Sequence, residues 1–221
     1  WNHMDSTFLV VAIDGGAGTG KSTTASLLSK RLNFLHVDTG SHYRSVTKHL
    51  LDNEINLKML DSYFDQNNIL LTSKVDENRS HLAINGLVYA SDLLRTAKIN
   101  QAVSNCASNP KVRQLLLRYQ REQIYVARSE NKSGLVMEGR DIGTVIYPDA
   151  DLKVFLVADQ KIRESRRIKD GEVDQIASRD QLDSSRSIAP LKESGGSLRI
   201  DTSLLSVEEV YVTISKSLGF S

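Results

Sequence analysis

Residues 8–22 read FLVVAIDGGAGTGKS, and they carry the most informative pattern for the architecture of the chain. Its first half, residues 8–14, is a nearly continuous apolar run, which is typical of a buried parallel strand. Its second half, residues 15–22, fits the pattern G-x-x-x-x-G-K-[ST] and leads into a helical pattern at 22–32. The strand, the loop and the helix together predict a phosphate-binding loop.

Each part of this loop has its own chemical task. Small residues let successive backbone N–H groups turn inward around phosphate groups, and the N-terminus of the next helix adds unpaired donors. Lys21 is expected to reach the β- and γ-phosphates of ATP, and the Ser22 hydroxyl to ligate Mg²⁺. The predicted ATP-binding residues here are Gly15, Gly16, Ala17, Gly18, Thr19, Gly20, Lys21, Ser22 and Thr23.

The composition limits the classes of ligand. Among 221 residues, 28 are Lys or Arg and 27 are Asp or Glu, so no overall basic field favours a nucleic acid. No apolar run approaches the roughly 18–20 residues of a membrane span. The one cysteine, Cys106, fits a reducing compartment, and nothing near it suggests an activated nucleophile. We therefore expect a cytoplasmic protein that binds small molecules, with no nucleic-acid or membrane partner.

The rest of the chain alternates between strand and helix patterns around one interruption. Strands are predicted at 34–37, 134–138 and 151–158, and helices at 41–51 and 207–217. In between, short antiparallel strands are predicted at 69–71, 80–84 and 87–89, and helices at 92–107 and 111–128. Asn85-Gly86 joins the last two strands as a hairpin turn. The pattern predicts an α/β fold with a parallel sheet flanked by helices and a mixed insertion at 63–125.

Polar clusters follow two of the predicted core strands. Residues 38–44 read DTGSHYR and residues 138–144 read EGRDIGT. The carboxyl ends of parallel strands line the ligand crevice of such sheets, so these acids, hydroxyls and arginines are expected there. Helix capping by Asp38 or Thr39, and a surface ion pair between Arg140 and Asp141, are the structural alternatives.

A third cluster lies on a predicted helix, where residues 178–190 read SRDQLDSSRSIAP. Arg179, Asp183 and Arg186 share one helical face, although a plain solvated helix uses the same spacing. Three clusters that each offer an arginine imply at least two anionic groups to bind. GTPases are disfavoured because residues 131–134, NKSG, lack the aspartate of N-K-x-D and precede their strand. Motor-type ATPases are not excluded by residues 135–138 alone, which could imitate their acidic strand.

The motifs GGAGTGKST, DTGSHYR, EGRDIGTVIYPDA and RDQLDSSRSIAP, in this order, resemble those of the bacterial cytidylate kinases. The resemblance runs from about residue 10 to residue 201. It implies transfer of the γ-phosphoryl group of MgATP to CMP or dCMP in pyrimidine nucleotide metabolism. It also implies a core at 4–62 and 126–221, an inserted monophosphate-binding subdomain at 63–125, and a small lid at about 160–176. A monomer is expected.

The resemblance further implies roles for single residues. Thr39, Arg44, Arg140 and Arg186 would hold the CMP phosphate, Tyr43 would pack near the nucleotide, Ser104, Arg113 and Asp141 would read the cytosine, and Arg179 and Asp183 the ribose. Lys21, Arg140 and Arg186 would be catalytic, Arg163 and Arg167 would reach ATP from the lid, and Ser22 and Asp38 would hold Mg²⁺. Two positions depart from the family pattern: Thr39 stands where serine is more usual, and Glu138 where aspartate is common.

Two other functions remain alternatives. A small kinase acting on UMP, shikimate, gluconate or dephospho-coenzyme A would share the strand, the loop and an arginine cluster. The insertion with Ser104 and Arg113, together with the EGRDIGT segment, favours a cytidylate kinase over these alternatives. A nucleotide-binding switch with little catalysis is disfavoured by the missing N-K-x-D and by the second arginine-rich pocket.

Overall fold

The computed structural model describes residues 8–169, 171 and 176–220, apart from the side chains of 176–179. Its strands are β1 Leu9–Gly15, β2 Phe34–Asp38, β3 Leu71–Asp76, β4 Arg79–Ile84, β5 Leu87–Val88, β6 Gly134–Gly139, β7 Leu152–Val157 and β8 Leu198–Asp201. Its α-helices are α1 Lys21–Leu32, α2 Thr39–Asp52, α3 Leu60–Gln66, α4 Ala97–Ser108, α5 Pro110–Arg121, α6 Gln123–Ser129, α7 Gln160–Lys169, α8 Ile176–Ser185 and α9 Val207–Ser217. A 3₁₀ turn, Leu93–Arg95, and a π-helical turn, Ile142–Ile146, complete the described elements.

The strands form one mainly parallel sheet in the order β3-β4-β2-β6-β1-β7-β8, with β5 paired to β4. β1 pairs in parallel with β6 and β7, and β6 pairs in parallel with β2. The predicted α/β fold with a parallel sheet flanked by helices is confirmed. Because neighbouring parallel strands end at the same edge, the segments after β1, β2 and β6 meet there.

Apolar side chains cover both faces of β1. Val11 and Ile13 pack with Leu28 of α1 and Ile214 of α9 on one face. Val10 and Ala12 point to the other face, where they pack in a cluster that includes Met137 and Ala127. Successive residues of a strand point to opposite faces, so burial on both sides explains why residues 8–14 are continuously apolar.

The strands of the insertion differ from the prediction at one end. The strand expected at 69–71 is wrong: β3 begins at Leu71 and runs to Asp76, with partly buried and exposed residues alternating along it. This polar alternation is a weak sequence signal, which explains the error. The Asn85-Gly86 turn is confirmed, since both residues have the positive φ, 50° and 84°, that a type I′ hairpin requires.

β4 joins the core sheet by pairing in parallel with β2 through His36 and Val37. The insertion therefore contributes strands to the same sheet as the phosphate loop. The division into 4–62 with 126–221 and 63–125 stays a prediction.

The helices of the insertion are more broken than the sequence indicated. The single helix expected at 92–107 is a 3₁₀ turn followed by α4, which begins after Thr96, whose side chain accepts from the backbone N–H of Ile99. The helix expected at 111–128 is divided at Glu122 into α5 and α6. Strand β8 and helix α3 were not predicted. No helix in the described part of the chain is long and apolar enough to cross a membrane.

Asp14, near the end of β1, fixes the backbone that follows β6. Its carboxylate accepts hydrogen bonds from the backbone N–H groups of Ile142 at 2.8 Å and Gly143 at 2.7 Å. Burial raises the pKa of Asp14 to about 6, and the two N–H donors oppose that shift. These bonds anchor the start of the π-helical turn, and so Arg140 and Asp141 are held beside the phosphate loop.

Cys106 provides a test of the packing of α4. Its side chain is fully buried, and burial raises the pKa of the thiol to about 11. We expect that a thiol reagent such as DTNB at pH 8 leaves the folded protein unlabelled, because only an exposed thiolate reacts. In unfolding concentrations of urea, one thiol per chain should react, as measured by absorbance. Rapid labelling of the folded protein would contradict this packing.

Candidate functional site

The edge of the sheet where β1, β2 and β6 end borders a cavity of 440 Å³. The phosphate loop lines one side of it, and residues of α2, β4 and the 3₁₀ turn line the other. Six cationic side chains line the cavity: Lys21, Arg44, Arg79, Arg95, Arg140 and Arg167. Such a concentration of positive charge suits a ligand with several anionic groups.

The phosphate loop is closely packed against α7. Gly18 has a φ of 72°, and a Cβ at this position would lie 2.8 Å from the backbone carbonyl oxygen of Arg163. Only glycine combines this left-handed conformation with so close an approach. The contact places the predicted lid against the loop.

Lys21 is buried beneath the loop. Its Nζ donates a hydrogen bond to the backbone carbonyl oxygen of Gly16 at 2.7 Å. Burial, followed by the nearby positive charge of Arg140, lowers the pKa of Lys21 to about 7. An anion bound in the loop would favour the charged ammonium form of Lys21. This form suits the contact with phosphate groups that the sequence predicts for Lys21.

Two carboxylates border the cavity beside Ser22. The Ser22 hydroxyl donates to Glu138 Oε2 at 2.8 Å, and Asp38 Oδ2 lies 3.4 Å from the Arg79 guanidinium. Burial opposes the ionisation of Asp38, but Arg79 and other neighbouring groups outweigh it and lower the pKa of Asp38. Asp38 also caps α2 by accepting from the Ser41 N–H. Asp38 is therefore both a helix cap and a residue that lines the cavity.

A second cavity, of 60 Å³, adjoins the first and shares Gly40, Gly139 and Arg140 with it. It brings together predicted residues from separate parts of the chain: Thr39, Tyr43, Ser104, Asp141, Asp183 and Arg186. Burial raises the pKa of Asp141, and the nearby Arg113 and Arg186 oppose that shift.

Arg113 lies behind this second cavity and holds Asp141. Its guanidinium forms an ion pair with the Asp141 carboxylate and donates to the backbone carbonyl oxygen of Ala107 at 3.0 Å. It also lies 5.4 Å from the centroid of the Tyr43 ring, a cation–π contact. Arg113 therefore fixes two side chains that line the cavity.

Asp183 holds two of the predicted phosphate-binding arginines. Its carboxylate accepts from Arg140 Nε at 2.8 Å and forms a further ion pair with Arg186. Arg44 is held from the insertion, because it donates to the backbone carbonyl oxygen of Leu94 at 2.8 Å and to Asn100 Oδ1 at 2.6 Å. Arg140 lines both cavities, Arg44 lines the first and Arg186 lines the second.

The arginines of α7 have different surroundings. Arg163 pairs with Asp180 and donates to the backbone carbonyl oxygen of Ala17 at 3.2 Å. Arg166 donates to the carbonyl oxygen of Gly18 at 3.3 Å and to that of Thr202 at 2.7 Å. Arg167 lines the main cavity. Arg163 and Arg166 therefore brace the loop, and Arg167 faces the space for a ligand.

A third cavity, of 260 Å³, shares Gly18, Gly20 and Thr23 with the main cavity. It is lined by loop and α1 residues, by Arg166 and Thr202, and by the apolar side chains of Leu205, Val207 and Val210. Arg179 lies among the residues whose side chains are not described, and its expected contact with a ribose stays a prediction.

Several residues of the site were missed by the sequence analysis. Arg79 and Arg95 line the main cavity, and His36 pairs with Glu138. Arg79 reaches the site because β4 pairs with β2, and no local pattern announces a pairing between strands 40 residues apart. Asp180 was also missed, although it lies inside the RDQLDSSR motif, and this motif could have identified it.

The structural comparisons concern the fold alone. A sugar kinase from Janibacter sp. superposes with a TM-score of 0.51 at 13% sequence identity, covering 97% of this chain and 96% of that one. An uncharacterised protein from Eubacterium ventriosum superposes with a TM-score of 0.50 at 13% identity, covering 96% and 98%.

The sequence comparisons reach further. The family model for cytidylate kinase matches residues 11–218. A cytidylate kinase from Fusobacterium nucleatum is 36% identical, with 95% of this chain and 97% of that protein covered. One from Bacillus thuringiensis is 35% identical, with 95% and 94% covered. Because the family model spans nearly the whole chain and both relatives align over nearly their full lengths, the chain belongs to the cytidylate kinase family.

Proposed function

We propose that this chain transfers the γ-phosphoryl group of ATP to CMP or dCMP, giving ADP and CDP or dCDP. The observation that carries the proposal is the pair of adjoining cavities, one beside the phosphate loop and one beside Asp141, with Arg140 lining both. A donor phosphate in the loop and an acceptor phosphate at Arg140 would therefore be neighbours, as direct transfer between them requires.

The smaller cavity is the proposed site of the acceptor nucleotide. Asp141, with Ser104 and Arg113, would read the cytosine, because a carboxylate accepts from its 4-amino group and finds no donor at the 4-carbonyl of uracil. With uracil, the Asp141 carboxylate would face a carbonyl oxygen with no donor between them, so uracil is rejected. Thr39, Arg44, Arg140 and Arg186 would hold the phosphate, Tyr43 would pack on the nucleotide, and Arg179 and Asp183 would contact the ribose.

The donor nucleotide would use the phosphate loop, residues 15–23, for its phosphates. We infer that its adenine lies in the third cavity, whose apolar Leu205, Val207 and Val210 suit a flat base. Arg163 and Arg167 are the proposed arginines of the lid for ATP: Arg167 would contact it from the main cavity, and Arg163 would act through the loop that it contacts.

The side chains beside Ser22 fit Mg²⁺. A serine hydroxyl and carboxylate oxygens are the hard ligands that this ion prefers. Among the described residues, no three His, Cys, Asp or Glu side chains form a metal cluster, which agrees with an ion held mainly by water and phosphate oxygens. Ser22 and Asp38, with Glu138, would hold it. When bound, Mg²⁺ supplies neutralisation of charge on the β- and γ-phosphates.

The remaining chemistry belongs to the arginines and Lys21. Arg44, Arg140 and Arg186 orient the acceptor phosphate, and Lys21 and Arg140 stabilise the charge that develops on the transferring group. A general base is unnecessary because the attacking phosphate oxygen is already an anion. The insertion at 63–125 and the lid at about 160–176 would close over both nucleotides and exclude water, which otherwise hydrolyses ATP.

We further propose a cytoplasmic monomer without a nucleic-acid or membrane partner. The near balance of 28 basic and 27 acidic residues gives no general attraction for nucleic acids. The substrates, ATP and CMP, are metabolites of the cytoplasm.

The reaction is tested by measuring ADP formation from MgATP with CMP, dCMP, UMP, AMP or shikimate offered separately at matched concentration. We expect rapid turnover with CMP and dCMP, little with UMP, and only slow hydrolysis when no acceptor is present. Preferred turnover of AMP or shikimate would show that the acceptor pocket binds a substrate other than CMP. Turnover that no acceptor accelerates would instead support the nucleotide-binding switch.

Arg140→Ala tests the arginine that the two cavities share. We expect kcat to fall by about 100-fold or more, because a charge aimed at the transferring phosphate is lost. Thermal unfolding should change little. The control is Arg118→Ala, since Arg118 is an 87% exposed arginine that pairs with Glu122 on the surface. Near-normal turnover by Arg140→Ala would contradict the assignment.

Asp141→Asn tests how the base is read. The asparagine amide can donate to the 4-carbonyl of uracil, so we expect the ratio of kcat/KM for CMP over UMP to fall by about 10-fold or more. The ratio for CMP over dCMP serves as the internal control and should stay constant, because Asp141 is not expected to contact the sugar. Unchanged discrimination against UMP would show that the base is read elsewhere.

A further inference from the structure

Glu138 is a buried carboxylate that is held from two sides. Its side chain is almost fully buried, yet both of its oxygens have partners. Oε2 accepts from the Ser22 hydroxyl at 2.8 Å, and Oε1 lies 2.9 Å from Nε2 of His36. A carboxylate in such surroundings is stable only when it is hydrogen-bonded, so both partners are needed.

A second carboxylate lies directly beside it. Asp38 and Glu138 are opposite each other in the register of β2 and β6, and adjacent strands lie only about 4.8 Å apart. Two like charges at this separation repel each other. Each has a separate cationic or donor partner, Arg79 for Asp38 and His36 for Glu138. The hydrogen bond of His36 therefore goes to Glu138, although the nearby imidazole also helps to lower the pKa of Asp38.

His36 reaches the site through its hydrogen bond to Glu138. It precedes Asp38 by two residues on β2, so both side chains point to the same face of the sheet. His36 is almost fully buried and is not among the residues that line any of the three cavities. Because an ionised carboxylate can only accept, Nε2 of His36 carries the hydrogen that faces it.

The length of Glu138 explains why a second anchor is useful. Glutamate has one more rotatable bond than the aspartate that is common at this position in the family, so a single hydrogen bond to Ser22 fixes it less well. With Oε1 held by His36, Oε2 is directed at Ser22. A hydroxyl that donates its hydrogen to Oε2 keeps its oxygen lone pairs for another partner.

We propose that His36 is a positioning residue of the phosphotransfer site. It holds the Glu138 carboxylate against the Ser22 hydroxyl, and it thereby sets the direction in which this hydroxyl presents its oxygen to MgATP or MgADP. The inference rests on the proposed function for its kinetic consequence. Its consequence for metal-dependent nucleotide binding needs only the phosphate loop.

The test compares His36→Leu, which keeps the approximate volume but removes the donor, with His36→Gln, whose amide can still donate to Glu138. Two quantities are measured: kcat and KM with CMP, and the ratio of the ADP dissociation constants without and with Mg²⁺, by calorimetry. We expect His36→Leu to lower kcat by about 10- to 100-fold and to lower the calorimetric ratio by a similar factor. KM for CMP should stay within about twofold, and His36→Gln should recover most of both losses.

The Glu138→Gln background shows whether His36 acts through Glu138. In that background, adding His36→Leu should change kcat by less than about twofold, since coupled residues are not additive. His49→Leu is the matched control, because His49 lies on α2 next to the Tyr89 hydroxyl and contacts none of these groups. It should have the kcat of the wild type. Thermal unfolding of each variant reports on folding.

Wild-type values of both quantities in His36→Leu would overturn the proposal. A loss that His36→Gln fails to recover, or that persists in the Glu138→Gln background, would also overturn it by making His36 merely structural. If His36→Leu does not fold, the comparison of His36→Gln with His36→Asn, whose amide is too short to reach Glu138, replaces it. Absence of CMP-dependent turnover in the wild type would instead contradict the proposed function, and the calorimetric comparison would still test His36.

Discussion

The site depends on the parallel pairing of β1 with β6. This pairing sets Asp14 opposite Gly139, so the phosphate loop and the segment from Glu138 to Asp141 leave the sheet side by side. The Asp14 carboxylate then fixes the second segment through the backbone N–H groups of Ile142 and Gly143. A shift of one residue in this register would turn each β6 side chain to the opposite face and separate Glu138 from Ser22.

The buried charged side chains of this site form ion pairs with one another. Asp183 holds Arg140 and Arg186, and Arg113 holds Asp141, all in surroundings largely shielded from water. Such pairs add little to the stability of a fold, because desolvation offsets most of the attraction. Their value lies in preorganisation: Arg140 and Arg186 are held beside the second cavity before any ligand binds, so binding of an anion there would need little reorganisation.

The insertion shows where local patterns stop being informative. Asn85-Gly86 predicted its hairpin because the turn depends on the φ preferences of these residues alone. The strand β3 was misplaced because four of its six residues are polar, and its burial is decided by its pairing with β4. The break at Thr96 was missed because the flanking apolar residues still follow a helical spacing. The Thr96 side chain overrides that spacing, because it accepts from the Ile99 N–H and so caps a new helix.

Local patterns in the sequence predicted the strand–loop–helix unit at 8–32 and the parallel α/β fold, because residues a few positions apart decide these features. The motif clusters supplied many candidate residues, whereas Ser104 and Arg113 came from the family resemblance. Which cavity, loop or partner each side chain faces became clear from the tertiary structure. It directs Arg167 into the cavity and Arg163 and Arg166 onto the loop, brings in Arg79 from β4, and pairs His36 with Glu138 across 102 positions of the chain. Contacts over such distances arise from strand register and helix packing, which the local pattern of residues does not encode.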